Sequence, residues 1–72
     1  MSINSARMFG IYDSLQHGDS VPTVDLQWFV KRCEETIDVF SRVPQFNLFV
    51  ADLIHNRNNV QSYLDARRRE KS

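Results

Sequence analysis

Two runs of apolar residues, spaced alternately by four and three positions, constrain the fold of this 72-residue chain more than any other feature. The first run lies within residues 24–42 and the second within residues 44–68. This spacing keeps the apolar side chains on one face of a helix and is typical of a coiled coil or a helical bundle. We call this face the seam; it consists of Leu26, Val30, Cys33, Ile37, Phe40, Phe46, Val50, Leu53, Val60 and Leu64.

A break between the two runs predicts a helical hairpin. Pro44 suits the first turn of a helix, and its ring disfavours helical geometry at Val43. One helix is therefore expected over about residues 24–42 and the next over about residues 44–68. Arg57 interrupts the second seam, which either an ion-pair partner or a helix break near residues 56–59 would explain. A single continuous helix is the favoured alternative, although the asparagines of this segment are poor helix formers.

A shorter helix is predicted over about residues 5–17, and Gly18 would end it. Its apolar face consists of Met8, Ile11, Tyr12 and Leu15. Residues 69–72 are predicted to fray. The whole chain, residues 1–72, is thus expected to form one all-α domain, a hairpin of two longer helices with a short N-terminal helix.

The small size of the chain predicts that it pairs with itself or docks on another molecule. A domain of this length buries only roughly 60% of its unfolded surface and is marginally stable alone. Cys33 is the only cysteine, so no internal disulfide can form, and with His17 and His55 it gives no recognisable zinc spacing. We therefore expect no metal, no cofactor and a homodimer in which the seams of two hairpins form a shared core.

Charge and hydropathy narrow the class of partner. Nine basic and nine acidic residues give a net charge of zero, which argues against a dedicated nucleic-acid binder. The nucleic-acid alternative would use the basic run Arg67, Arg68 and Arg69. No apolar run approaches the roughly 18 residues of a membrane span, and the N-terminal MSINSARMFG lacks the pattern of a signal peptide. These features predict a cytoplasmic protein without membrane contact.

The stretch DSVPTVDL, residues 19–26, resembles the Asp-Ser-Leu motif of acyl and peptidyl carrier proteins. The stretch NNVQSYLDA, residues 58–66, is similar to the last helix of a carrier domain. This resemblance implies a phosphopantetheine arm on Ser20, at the start of the second helix. The favoured alternative is that Ser20 or Thr23 only caps that helix.

Candidate partner-binding residues come from the aromatic and arginine side chains, which are frequent at the energetic centres of protein interfaces. They are Phe9, Tyr12, Trp28, Arg32, Phe49 and Tyr63. The aromatic residues could instead pack the first helix over the hairpin. On the outer face of the second helix, Lys31 and Glu35 are predicted to form an ion pair.

No nucleophile and base fall in a recognisable pairing, so no catalytic residue is predicted. The sequence favours a small non-enzymatic regulator of the inhibitor, adaptor or chaperone-like kind. Such a protein would act by docking an apolar helical face on a partner protein.

Overall fold

The computed structural model describes residues 5–71 of the chain. It contains three α-helices, α1 (Ser5–Gln16), α2 (Thr23–Phe40) and α3 (Asn47–Lys71), and a single 3-10 turn, Pro44–Phe46, ahead of α3. No strand occurs among these described residues. The all-α prediction is therefore confirmed, whereas the pairing of two copies stays a prediction.

The hairpin forms where Pro44 interrupts helical geometry. Val43 takes an extended conformation, with φ −113° and ψ 105°, because the ring of the following proline crowds the helical alternative. The amide of Phe46 donates to the Val43 carbonyl at 3.0 Å, which is the tighter 3-10 pattern. The segment 44–46, included in the predicted third helix, is thus a 3-10 turn, and α3 itself begins three residues later.

Helix α3 runs without a break through the asparagine-rich segment 55–59. The Nε and Nη2 atoms of Arg57 both donate to Glu34 Oε2 on α2, at 3.0 and 2.9 Å. Asn59 Nδ2 donates to the Tyr12 hydroxyl on α1 at 2.9 Å. An ion pair with α2, and not a helix break, accounts for the arginine on the seam.

Helix α1 is followed, two residues after its end, by a glycine that adopts left-handed backbone geometry. Gly18 has φ +79°, and its amide donates to the Leu15 carbonyl at 3.1 Å. The next amide, of Asp19, donates to the Ser14 carbonyl at 2.9 Å. These two bonds form a Schellman motif, which satisfies the last carbonyls of the helix and turns the chain toward α2.

The core lies at the end of the hairpin that α1 covers. Its buried side chains are Ile11, Leu15, Val21, Leu26, Phe29, Val30, Cys33, Leu53 and Val60. We call this end, built by α1, residues 23–33 of α2 and residues 53–71 of α3, the proximal end. The distal end consists of residues 34–40, the 3-10 turn and residues 47–52, and none of these described residues is buried.

The two ends divide the predicted seam. Five seam residues are buried, and they are Leu26, Val30, Cys33, Leu53 and Val60. The other five are half-buried, and they are Ile37, Phe40, Phe46, Val50 and Leu64. Four of these half-buried residues belong to the distal end, where no third helix from residues 5–71 lies over the hairpin.

None of the helices within residues 5–71 has the length and apolar character needed to cross a membrane.

Candidate functional site

A groove with a volume of about 1060 Å³ is lined by residues of α1, α2 and α3. It occupies the boundary between the proximal and distal ends. The lining residues are Met8, Phe9, Tyr12 and Gln16 of α1, Phe29, Arg32, Glu35, Thr36, Val39 and Phe40 of α2, and Phe49, Leu53 and Asn56 of α3. A volume near 1000 Å³ with mostly apolar walls is typical of a binding site for a side-chain cluster or a large ligand.

The groove exists because α1 crosses the hairpin only at its proximal end. Arg7 of α1 reaches Asp25 at 3.3 Å and lies 4.0 Å above the ring of Trp28. The ring of Tyr12 stacks on that of Phe29, with 6.0 Å between the ring centroids. These contacts anchor α1 over the first half of α2 and leave the second half open on that side.

Three phenylalanine rings cluster at the distal end of the hairpin, and two of them, Phe40 and Phe49, line the groove. Phe40 meets Phe46 edge to face with a centroid distance of 4.9 Å, and it meets Phe49 at 5.4 Å. Phe46 and Phe49 are 6.4 Å apart. Edge-to-face pairs of this kind add stability beyond their buried area, so the cluster fixes the turn of the hairpin. Phe49 nevertheless remains 44% exposed on the side of the groove.

Large apolar side chains project from the rim of the groove into solvent. Phe9 of α1 is 75% exposed, and Val39 of α2 is 62% exposed. A single exposed apolar residue is ordinary, but adjoining ones beside a concave apolar surface mark interaction sites. The rim and the groove together form one continuous apolar surface, which we call the groove face.

Within the described part of the chain, the only charged residues that line the groove are Arg32 and Glu35. Arg32 Nη1 donates to Glu35 Oε1 at 3.2 Å, and both side chains remain partly exposed. The expected Lys31–Glu35 ion pair is therefore wrong, because Glu35 turns toward the arginine three positions earlier. The pair leaves the groove face without net charge.

Four of the six candidate partner-binding residues line the groove: Phe9, Tyr12, Arg32 and Phe49. The other two, Trp28 and Tyr63, lie outside it. Trp28 packs against the core and under the Arg7 guanidinium, whereas Tyr63 is 44% exposed on the proximal part of α3.

Val39 and Glu35 belong to the groove face but were not among the candidates. Val39 lies beside the seam, so its spacing alone predicts burial, whereas the structure leaves it exposed at the rim of the groove. From the sequence alone, Glu35 is expected on the outer face of α2. Neither position carries a sequence signal of its role, because the role depends on where α1 stops.

Cys33 is a core residue of α2. The thiol is fully buried, and burial raises its pKa to about 11, against a smaller opposing effect of the Arg57 guanidinium. The thiol is therefore protonated near neutral pH, and a protonated buried thiol is a poor nucleophile.

Ser20 lies exposed in the connection between α1 and α2. Pro22 occupies the position before α2, and no side chain caps that helix. The expectation that Ser20 or Thr23 caps the helix is wrong, because Thr23 is itself the first helical residue. Its Oγ1 atom accepts a hydrogen bond from Arg67 Nη1 at 3.0 Å and so links the start of α2 to the last turns of α3.

The basic run lies within α3, which extends to Lys71. Residues 69–71, predicted to fray, are therefore helical, whereas Ser72 lies outside the described residues. Arg67 is half-buried against Thr23, and Arg68 and Arg69 are exposed. No cluster of three or more potential metal ligands occurs in the described part of the chain.

In comparisons with known proteins, no family model matched this chain, and no match was found among the curated proteins or the solved structures.

Proposed function

We propose that this chain is a small non-enzymatic protein-binding regulator that acts as a homodimer, in which the groove face of each copy docks on the other copy. The observation that carries the proposal is the apolar groove with the exposed phenyl ring of Phe9 at its rim. Leaving such a ring in water forgoes about 1.5–3 kcal/mol of burial free energy, which a docked partner would supply.

The partner that we propose for the groove face is a second copy of the chain. A two-fold interface uses the same surface on both copies, so a projection and a recess on that surface can fit into each other. The groove face provides both, because Phe9 and Val39 project beside the groove. The net charge of zero adds no repulsion between copies.

The proposed homodimer differs from a bundle with a fully shared core. Within one chain, the proximal seam is buried except for the half-buried Leu64, whereas all four distal seam residues remain half-buried. A second copy would therefore bury apolar surface at the groove and at the distal end. This arrangement would supply the additional burial that a 72-residue domain without a disulfide needs.

Sedimentation equilibrium of the wild type, Phe9→Asp and Val24→Asp tests the proposal. Val24 is a matched control, since it is 67% exposed on α2 but does not line the groove. We expect the wild type and Val24→Asp to dimerise alike. We expect Phe9→Asp to weaken the dimer about tenfold or more, as buried aromatic anchors of interfaces do when they are lost.

A wild type that stays at 8.5 kDa across the concentration range would overturn the proposal that a second copy fills the groove. Equal weakening by both substitutions would place the interface elsewhere and would also overturn it. Both substituted side chains are exposed in the monomer, so the circular dichroism spectra of the two variants should match that of the wild type.

A further inference from the structure

We propose that the two copies recognise each other through a reciprocal pair of salt bridges, in which Arg32 of one copy faces Glu35 of its partner. This inference rests on the proposed function, and it assigns the residues that set the register of the dimer. The two charged residues, Arg32 and Glu35, lie on adjacent turns of α2.

The charge composition of the groove restricts which partner suits it. Among the described residues that line it, only Arg32 and Glu35 are charged, and they have opposite signs. A partner with a single net charge at this position would meet one attractive and one repulsive group. A second copy related by a two-fold axis presents the same two charges in reversed order, so that each charge meets its opposite.

The symmetry of a two-fold interface gives this reversal without further adjustment. In such an interface, when residue i of one copy contacts residue j of its partner, residue j also contacts residue i. An axis that passes across α2 between positions 32 and 35 makes the two α2 helices antiparallel. Arg32 then opposes the partner's Glu35 on both sides of the axis, and two salt bridges form.

The existing contact within one helix does not prevent these bridges. Arg32 and Glu35 contact each other through only one nitrogen and one oxygen, at 3.2 Å. Their side chains are 37% and 52% exposed, so further donor and acceptor atoms can still be reached. A guanidinium has five N–H donors and a carboxylate accepts several hydrogen bonds, which allows a four-membered charge network across the axis.

Electrostatic pairs at interfaces mainly exclude wrong partners and fix the register, and like charges brought together there are costly. A copy with R32E carries two carboxylates at this position, and a copy with E35R carries two guanidinium groups. Each variant alone would place like charges across the axis. An equimolar mixture of the two variants would place opposite charges there.

The test measures dimer affinity by sedimentation equilibrium for the wild type, R32E, E35R, their equimolar mixture and the double variant R32E/E35R. We expect each single variant to lose about tenfold or more in dimer affinity, the scale on which like charges at an interface act. We expect the mixture to form a heterodimer near wild-type affinity, identified by native mass spectrometry. The double variant retains both the contact within α2 and the reciprocal pairs, so it should dimerise like the wild type.

K31E and D38R are matched controls for net charge. Both side chains are exposed on α2 and neither lines the groove. They produce the same changes of charge as R32E and E35R, so we expect them to dimerise like the wild type both alone and mixed.

Three results would overturn the inference while leaving the proposed homodimer intact. The first is that R32E and E35R, each alone, dimerise with wild-type affinity. The second is that the mixture of R32E and E35R does not restore dimer affinity, and the third is that R32E/E35R is monomeric. A monomeric wild type would instead contradict the proposed function itself, so the two failures are distinguishable.

Discussion

The proximal and distal ends of the hairpin carry the same apolar spacing, yet only the proximal end has a core. At the proximal end, α1 lies over the seam, and Leu26 and Val60 are fully buried. At the distal end, Ile37 and Val50 lie on the same seam and stay half-buried, while Leu48 and Val39 project into solvent. Two helices alone do not enclose a seam, and a third element decides which part of it becomes a core.

The largest difference between the two ends should appear when one leucine at each end is truncated. Leu26→Ala removes a fully buried side chain, and we expect it to lower the free energy of unfolding by about 2–5 kcal/mol. Leu48→Ala makes the same chemical change at a side chain that is 85% exposed, and we expect an effect within about 0.5 kcal/mol. Urea denaturation at a fixed low protein concentration measures both values. Similar losses for the two variants would remove the distinction between the ends.

Substitutions at two glycines, Gly10 within α1 and Gly18 just after it, should change the stability of the protein in opposite directions. Gly18→Ala places a β-carbon at φ +79°, and we expect it to lower stability by about 1–2 kcal/mol. Gly10→Ala adds a methyl group with no neighbour within 4 Å, and we expect it to raise stability by about 1 kcal/mol through helix propensity. Thermal denaturation of the two variants reports the sign of each change. Two changes of the same sign would contradict the described path of α1.

The smallest expected effect is a pH dependence at the end of α1. The hydrogen bond from His17 Nδ1 to the Asp13 carbonyl, 2.8 Å long, and the nearby Asp13 carboxylate raise the pKa of His17 above its ordinary value of 6.5. A histidine with a raised folded-state pKa contributes stability below pH 6.5 and loses this contribution as the pH rises through the folded-state pKa. The side chain is exposed, so the effect on stability should be slight.

An NMR titration of the His17 ring measures that pKa directly. We expect a value above 6.5 in the folded protein, and we expect His17→Gln to remove the associated loss of stability between acidic and mildly alkaline pH. A pKa at or below 6.5 would show that the contacts with Asp13 do not persist in solution.

The sequence predicted those features of the fold that depend on local geometry. The spacing of apolar residues and the restriction at Val43 were sufficient for an all-α chain with a hairpin, and Gly18 marked the end of α1. Each of these signals acts within a few residues, through helix periodicity or backbone sterics.

The features that the sequence left undetermined depend on contacts between distant residues. The partner of Arg57 is Glu34, 23 positions away, and the partner of Thr23 is Arg67, 44 positions away. No local pattern indicates where α1 crosses the hairpin, so the exposure of Val39 could not be deduced from its place beside the seam. For the same reason, the residues of the groove face were only partly identified.

A second copy of the chain is proposed to cover the groove face. Isotope-filtered NMR of a mixture of labelled and unlabelled chains tests this contact most directly. We expect intermolecular nuclear Overhauser effects between the Phe9 ring and groove residues such as Thr36 and Val39. Intermolecular effects confined to Val24 or Tyr63 would contradict the proposed interface. The absence of any intermolecular effect at the highest protein concentration that can be prepared would contradict the homodimer.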